Sequence, residues 1–75
     1  MGECFGVVKW YNAEKGFGFI IDQDTQKEYF VHFIDVPGVL KNPLLEGMIV
    51  RFDIVYDERN GYVAKNVAFE GSYIQ

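Results

Sequence analysis

Two stretches of this chain are apolar on both faces when read as strands, and that limits what the chain can fold into. Side chains alternate along a strand. From Lys15 onward, Lys15, Phe17, Phe19 and Ile21 fall on one side, and Gly16, Gly18 and Ile20 on the other. In the next stretch Glu28, Phe30 and His32 share one side, and Tyr29, Val31 and Phe33 the other. A core needs only one apolar face per strand. The spare face is either buried against something else or exposed for use, and 75 residues provide one domain with no second layer to cover it. The polar companions mark the wet side. Phe17 and Phe19 travel with Lys15, and Phe30 travels with Glu28 and His32, so Ile20 and Val31 point inward.

The rest of the chain also reads as strand. β-branched and aromatic runs fill residues 4–11, 17–21, 27–33, 48–56 and 62–69. Val50, Phe52 and Ile54 alternate with Arg51 and Asp53, and Tyr29, Phe52 and Phe69 are assigned to the core. Polar turns separate the runs, and Asn60-Gly61 is a strong hairpin signal. The long connection, residues 34–47, carries Pro37-Gly38 and Asn42-Pro43. Its only helical signal is one short turn near Asn42 to Gly47, with Asn42 as cap and Pro43 at the first position. Five strands at this spacing suggest a small barrel or sandwich, and closure removes exposed edges.

Composition excludes several functions. A single Cys rules out an internal disulfide, and one Cys with one His cannot build a soft-ligand zinc site. No cofactor or metal is expected. Ser72 is the only serine and has no base near it in sequence. Asp22 with Asp24, and Asp57 with Glu58, read as solvated turn charges, so no enzyme is expected. No apolar run approaches a membrane span, and no signal peptide is visible, so the chain reads as cytoplasmic. The net charge of −4 argues against indiscriminate duplex binding.

Aromatics make up 17% of the residues, high for a small core. Phe17, Phe19, Phe30 and His32 gather on adjacent strands beside Lys15, and Lys9-Trp10 can join from the first strand. Rings interleaved with lysines suit a single-stranded nucleic acid. Bases stack on the rings, and phosphates need nearby cations.

At these residues the chain resembles the cold-shock domain family. The run from Gly6 through Lys9-Trp10-Tyr11-Asn12 to Lys15-Gly16-Phe17-Gly18-Phe19-Ile20 is similar to that family's opening and first ribonucleoprotein motif. Tyr29-Phe30-Val31-His32-Phe33 is similar to the second, and Gly47, Val50, Phe52, Ala64, Asn66 and Val67 fit its final hairpin. The similarity spans about residues 5–69 of one domain, 1–75. It implies an all-β, five-stranded antiparallel OB-type barrel that binds single-stranded RNA and DNA. It implies stacking on Trp10, Phe17, Phe19, Phe30, His32 and Phe33, with Lys9 and Lys15 near phosphates. Tyr11, Asn12, Glu28, Lys41 and Arg59 are the flanking contacts. Trp10 shares parity with Val8, and Phe33 with Val31, yet the resemblance implies that both rings are exposed; a bend or bulge in the first strand and the strand end at Phe33 would allow this.

The chain departs from the family pattern at Ile34, where Ser or Thr is usual, and at Tyr29. It departs again in the loop, where Lys41, beside Val39 and Leu40, takes the place of an aromatic. The expected role is that of an RNA chaperone and regulator of transcription or translation in a stress response. The chain is expected to be a monomer, although residues 34–47 could act as the hinge of a strand-swapped dimer. The rival reading is a small β-barrel that binds a peptide in the same groove.

Overall fold

β-branched and aromatic residues fill five segments, and each becomes a strand: β1 (Cys4–Asn12), β2 (Phe17–Asp22), β3 (Glu28–His32), β4 (Ile49–Asp57) and β5 (Gly61–Gly71). The computed structural model describes residues 4–39 and 43–71. Every strand lies where the alternation of the sequence predicts it.

The strands close into an all-β barrel of the OB type, in the order β1-β2-β3-β5-β4. Four seams are antiparallel. The fifth, between β3 and β5, is parallel and rests on the single register pair Phe30 and Val63. This seam is the one exception to the expected antiparallel pairing. Strand directions can alternate around a closed ring only if the strand number is even. With five strands, one seam must join two that run the same way.

Val8, Ile20, Val31, Val50, Phe52, Ala64 and Val67 fill the centre of the barrel. Tyr29 is half-buried and leans on Phe52, with ring centroids 6.1 Å apart. Phe69 does not join the core and is 58% exposed. It follows Val67 in the alternation, but by then β5 has reached the end of the barrel. There Phe69 walls a shallow hollow with Val36, Pro37 and Leu44.

The helical turn is also placed differently from expectation. Asn42 lies outside the described residues, and residues 43–47 contain no helical turn. Leu44 is buried while Leu45 is exposed. The Gly47 amide donates to the Val8 carbonyl at 2.8 Å, and the Val8 amide donates to the Met48 carbonyl at 2.9 Å. Those bonds tie this stretch to β1. The one 3-10 turn is Phe33–Asp35, closed by the Val36 amide donating to the Phe33 carbonyl at 3.1 Å.

β1 carries the feature that shapes the outer face. Val8 pairs with Ile20 and Trp10 with Phe19, so Lys9 is an extra residue, a β-bulge. Val8 is 1% exposed and Trp10 39%. The bulge and Gly18 require each other. Gly18 sits opposite Tyr11, where a Cβ would collide with the Trp10 carbonyl oxygen and stand 2.7 Å from the Tyr11 Cα. Among the described residues no helix is long and apolar enough to cross a membrane.

Candidate nucleic-acid interface

Register builds the site. Phe17 stands opposite His32 and Phe19 opposite Phe30 across the β2–β3 seam, while Trp10 stands opposite Phe19 across β1–β2. Because these pairs share one face, the rings touch in series. Trp10 lies 5.7 Å from Phe17 and 5.4 Å from Phe19, both centroid to centroid. Phe30 is 5.8 Å from Phe17, nearly parallel to it, and 5.8 Å from Phe19 edge-on. His32 is 6.5 Å from Phe30 and 4.7 Å from Phe33. Six rings from three adjacent strands and the turn after them make one continuous half-open surface.

Phe33 belongs to this surface because β3 stops at His32. The 3-10 turn swings the Phe33 ring over Gly16, where a Cβ would stand 3.0 Å from its Cδ1. The Phe33 amide donates to the Gly16 carbonyl at 2.8 Å. Gly16 itself adopts a φ of +78°, the left-handed region that glycine enters at least cost.

The flanking residues divide by role. The Lys9 ammonium sits 2.8 Å from the Glu28 carboxylate, an ion pair that reaches from the bulge across β2 to β3. The Lys15 side chain has no partner among the described residues. Asn12 accepts the Lys15 amide at 2.9 Å on its Oδ1, which closes the turn between β1 and β2. Tyr11 is half-buried against the core and lines a hollow of about 250 Å³ with Lys15, Gly16, Phe33, Val39 and Pro43. Burial raises the Tyr11 hydroxyl pKa above its ordinary value. Arg59 lies in the β4–β5 turn and borders a second hollow, of about 330 Å³, at the Phe30–His32 end. Lys41 and Leu40 lie outside the described residues. Val39, beside them, is buried in the core and is not available for stacking.

Two features at this face have no signal in the sequence. Val63 is buried on β5 and pairs with Phe30, bracing the platform from the parallel seam. Lys65 of β5 holds Asp35 at 3.3 Å, tying down the turn that carries Phe33. In both cases the partners meet only after the barrel closes.

Of the four carboxylates read as solvated, Asp24 and Glu58 are exposed, whereas Asp22 and Asp57 prove to be structural. Asp22 is only 5% exposed, and its Oδ2 accepts the Thr25 amide and hydroxyl at 2.9 and 3.0 Å. Asp57 accepts the Arg59 amide at 2.9 Å, and this bond chiefly holds its carboxyl below the ordinary range. Among the described residues no cluster of His, Cys, Asp and Glu could hold a metal. Ser72 lies outside the described residues.

Comparison with known proteins agrees with this geometry. The 'Cold-shock' DNA-binding domain family matches residues 4–69. A cold shock-like protein of Aquifex aeolicus is 44% identical over 66 residues, covering 88% of this chain and 93% of that protein. Cold shock-like protein CspC of Buchnera aphidicola is 45% identical over 67 residues, covering 89% of this chain and 96% of its own length. CspC of Escherichia coli K12 gives the same figures, 45% identity with 89% and 96% coverage. With strands, bulge and ring surface in register and a family match over nearly its whole length, this chain belongs to the cold-shock DNA-binding domain family of nucleic-acid-binding proteins.

Proposed function

We propose that this protein binds single-stranded RNA and DNA with little sequence preference by stacking bases on Trp10, Phe17, Phe19, Phe30, His32 and Phe33. The observation that carries the reading is the unbroken chain of ring contacts from Trp10 to Phe33 on one open face. Every base has a π-face, so such a surface accepts any sequence. Lys15 and Lys9 supply cations at its edge. With a net charge of −4, affinity comes from stacking more than from phosphate neutralisation. Duplex nucleic acid hides its base faces and is a poor ligand.

The biological consequence is RNA chaperoning. A base held on the platform is withheld from a hairpin, so mass action melts weak secondary structure without any catalytic step. Regulation of transcription or translation follows from the same act wherever a hairpin is the signal. The chain works as a single domain and a monomer in the cytoplasm.

Trp10 is the only tryptophan and lies within the proposed site, so its fluorescence is the direct test. Short oligo-dT or oligo-U quenches it in a saturable way, and a duplex of the same length does so far less. A folded protein whose Trp10 emission ignores both single strands refutes the reading.

A further inference from the structure

The β4–β5 hairpin is longer than the barrel that it closes. β4 has 9 residues and β5 has 11, against 5 in β3. Its tip therefore overhangs, and among the described residues the core stops short of it. Tyr56 and Tyr62 stand opposite each other there. They continue the inward rows set by Phe52 and Ile54 on β4 and by Ala64 on β5. In those rows Phe52 and Ala64 are buried and Ile54 is half-buried, yet Tyr56 is 61% and Tyr62 62% exposed. The rings meet edge to face at 5.2 Å, which leaves π-surface of each open to solvent. This pair is separate from the stacking platform, none of whose ring contacts includes it.

One step inward, Ile54 lines a hollow of about 310 Å³ with Cys4, Phe5, Tyr29, Asp22 and Asp24. Its surroundings are acidic. Burial first, and then the charges of Asp22, Asp53 and Asp24, raise the Cys4 thiol pKa. Asp57, with Arg59 and Lys65, lines the separate hollow beside Phe30 and His32, so the acid at this face comes from Asp22, Asp24 and Asp53. Exposed tyrosine beside a hollow with one apolar and one acidic wall disfavours phosphate and suits guanidinium groups, which pack on aromatic faces.

We propose that this overhanging face docks a cationic, extended protein segment, its arginines lying on Tyr56 and Tyr62 and an apolar or proline residue entering the hollow beside Ile54. Aromatic grooves of this kind receive extended peptides at little ordering cost. The partner is a basic protein segment, and the platform on the other face stays free for its own ligand.

The test is an amide chemical-shift titration of the whole protein with an acetylated, amidated peptide of repeated Arg-Pro-Pro triplets. A Glu-Pro-Pro peptide and oligo-dT serve as the comparison probes. Saturable shifts centred on Tyr56, Tyr62 and Ile54 with the arginine peptide alone are expected. Replacing both tyrosines, Tyr56→Ser with Tyr62→Ser, weakens the peptide about tenfold. Tyr56→Phe with Tyr62→Phe retains it, and oligo-dT quenching of Trp10 is unchanged in either variant. That quenching also reports that the variants are folded, so the peptide proposal can fail while the stacking proposal stands. Four results would each overturn the proposal: no shifts, equal shifts with the glutamate peptide, shifts of Tyr56 and Tyr62 on adding oligo-dT, or concentration-dependent self-association through the tyrosines.

Discussion

The Lys9 ammonium and the Glu28 carboxylate are joined at 2.8 Å across the edge of the aromatic platform. A phosphate reaching Lys9 must compete with a carboxylate already there. Both side chains are about half exposed, so the pair itself contributes little to stability. Its effect falls on binding. Glu28→Gln is expected to tighten oligo-dT binding, by no more than about 1 kcal/mol given the worth of such exposed pairs. It should also steepen the log–log salt dependence by up to about 0.7, the single-strand increment for one more phosphate contact. Fluorescence titrations of Trp10 at several salt concentrations measure both, and an unchanged slope with weaker binding would assign Glu28 a direct contact with the ligand.

Phe17→Ala, Phe19→Ala and Phe30→Ala should each weaken oligonucleotide binding by roughly 1–3 kcal/mol. These rings are only half-buried, so their stability losses should fall well short of the ~3–5 kcal/mol of a core Phe→Ala. Phe52→Ala is the core reference, since Phe52 is fully buried. Denaturant melts showing losses of Phe52 size at all three positions would mean that the platform is structural.

Gly18→Ala tests the bulge. Its methyl group would meet the Trp10 carbonyl oxygen and the Tyr11 Cα, both backbone atoms that cannot step aside cheaply. Overpacking of this kind costs roughly 1–3 kcal/mol, and here it also displaces Trp10. Both the thermal midpoint and oligo-dT affinity should fall. Gly71→Ala, where a Cβ meets nothing within 4 Å, is the matched control and should change neither.

Lys41→Phe should tighten binding of an oligonucleotide long enough to reach the loop by up to about 1–3 kcal/mol, with little effect on one a few bases shorter. Losing the cation should flatten the salt slope slightly. Leu40→Phe is the paired comparison, and buried Val39 fixes where the loop leaves the core. Equal changes for short and long ligands would show that the loop does not reach the groove.

Acid should loosen the β4–β5 turn. The Asp57 carboxyl lies below its ordinary value of 3.8, held there first by the Arg59 amide, with burial opposing and the Asn60 side chain and the Lys65 charge adding to the lowering. Its folded pKa is thus lower than its unfolded one. The stabilisation is complete above the unfolded value and is lost as pH falls through the folded one, in the range below about 4. Asp57→Asn keeps an acceptor oxygen but cannot titrate, so its acid unfolding curve should be shallower in that range. Superimposable curves would remove Asp57 from the acid transition.

Period alone made the strands legible, and the polar companions of Phe17, Phe19 and Phe30 were enough to tell the wet face from the dry one. Trp10 was harder, because alternation puts it with Val8. Only the extra residue Lys9 separates them, and a bulge has no reliable sequence mark. Phe69 was misassigned for a different reason. Alternation says which side a residue takes but not where the barrel ends. The Lys65–Asp35 and Lys9–Glu28 pairs were invisible, since residues 30 and 19 positions apart are brought together by closure alone. The helical signal near Asn42 was local chemistry overridden at its C-terminal end by the Gly47 amide donating to the Val8 carbonyl and the Met48 carbonyl accepting from the Val8 amide.

The parallel seam has a kinetic consequence. It is the barrel's thinnest join, a single register pair linking residues 33 positions apart, Phe30 and Val63. A seam with so little pairing has the least to lose on opening, so it is expected to be the first to part in native-state opening. Phe30 belongs to the seam and to the platform at once. A base stacked on Phe30 therefore also restrains the gate through which the barrel opens, and amide protons around Val63 should exchange more slowly when a single strand is bound.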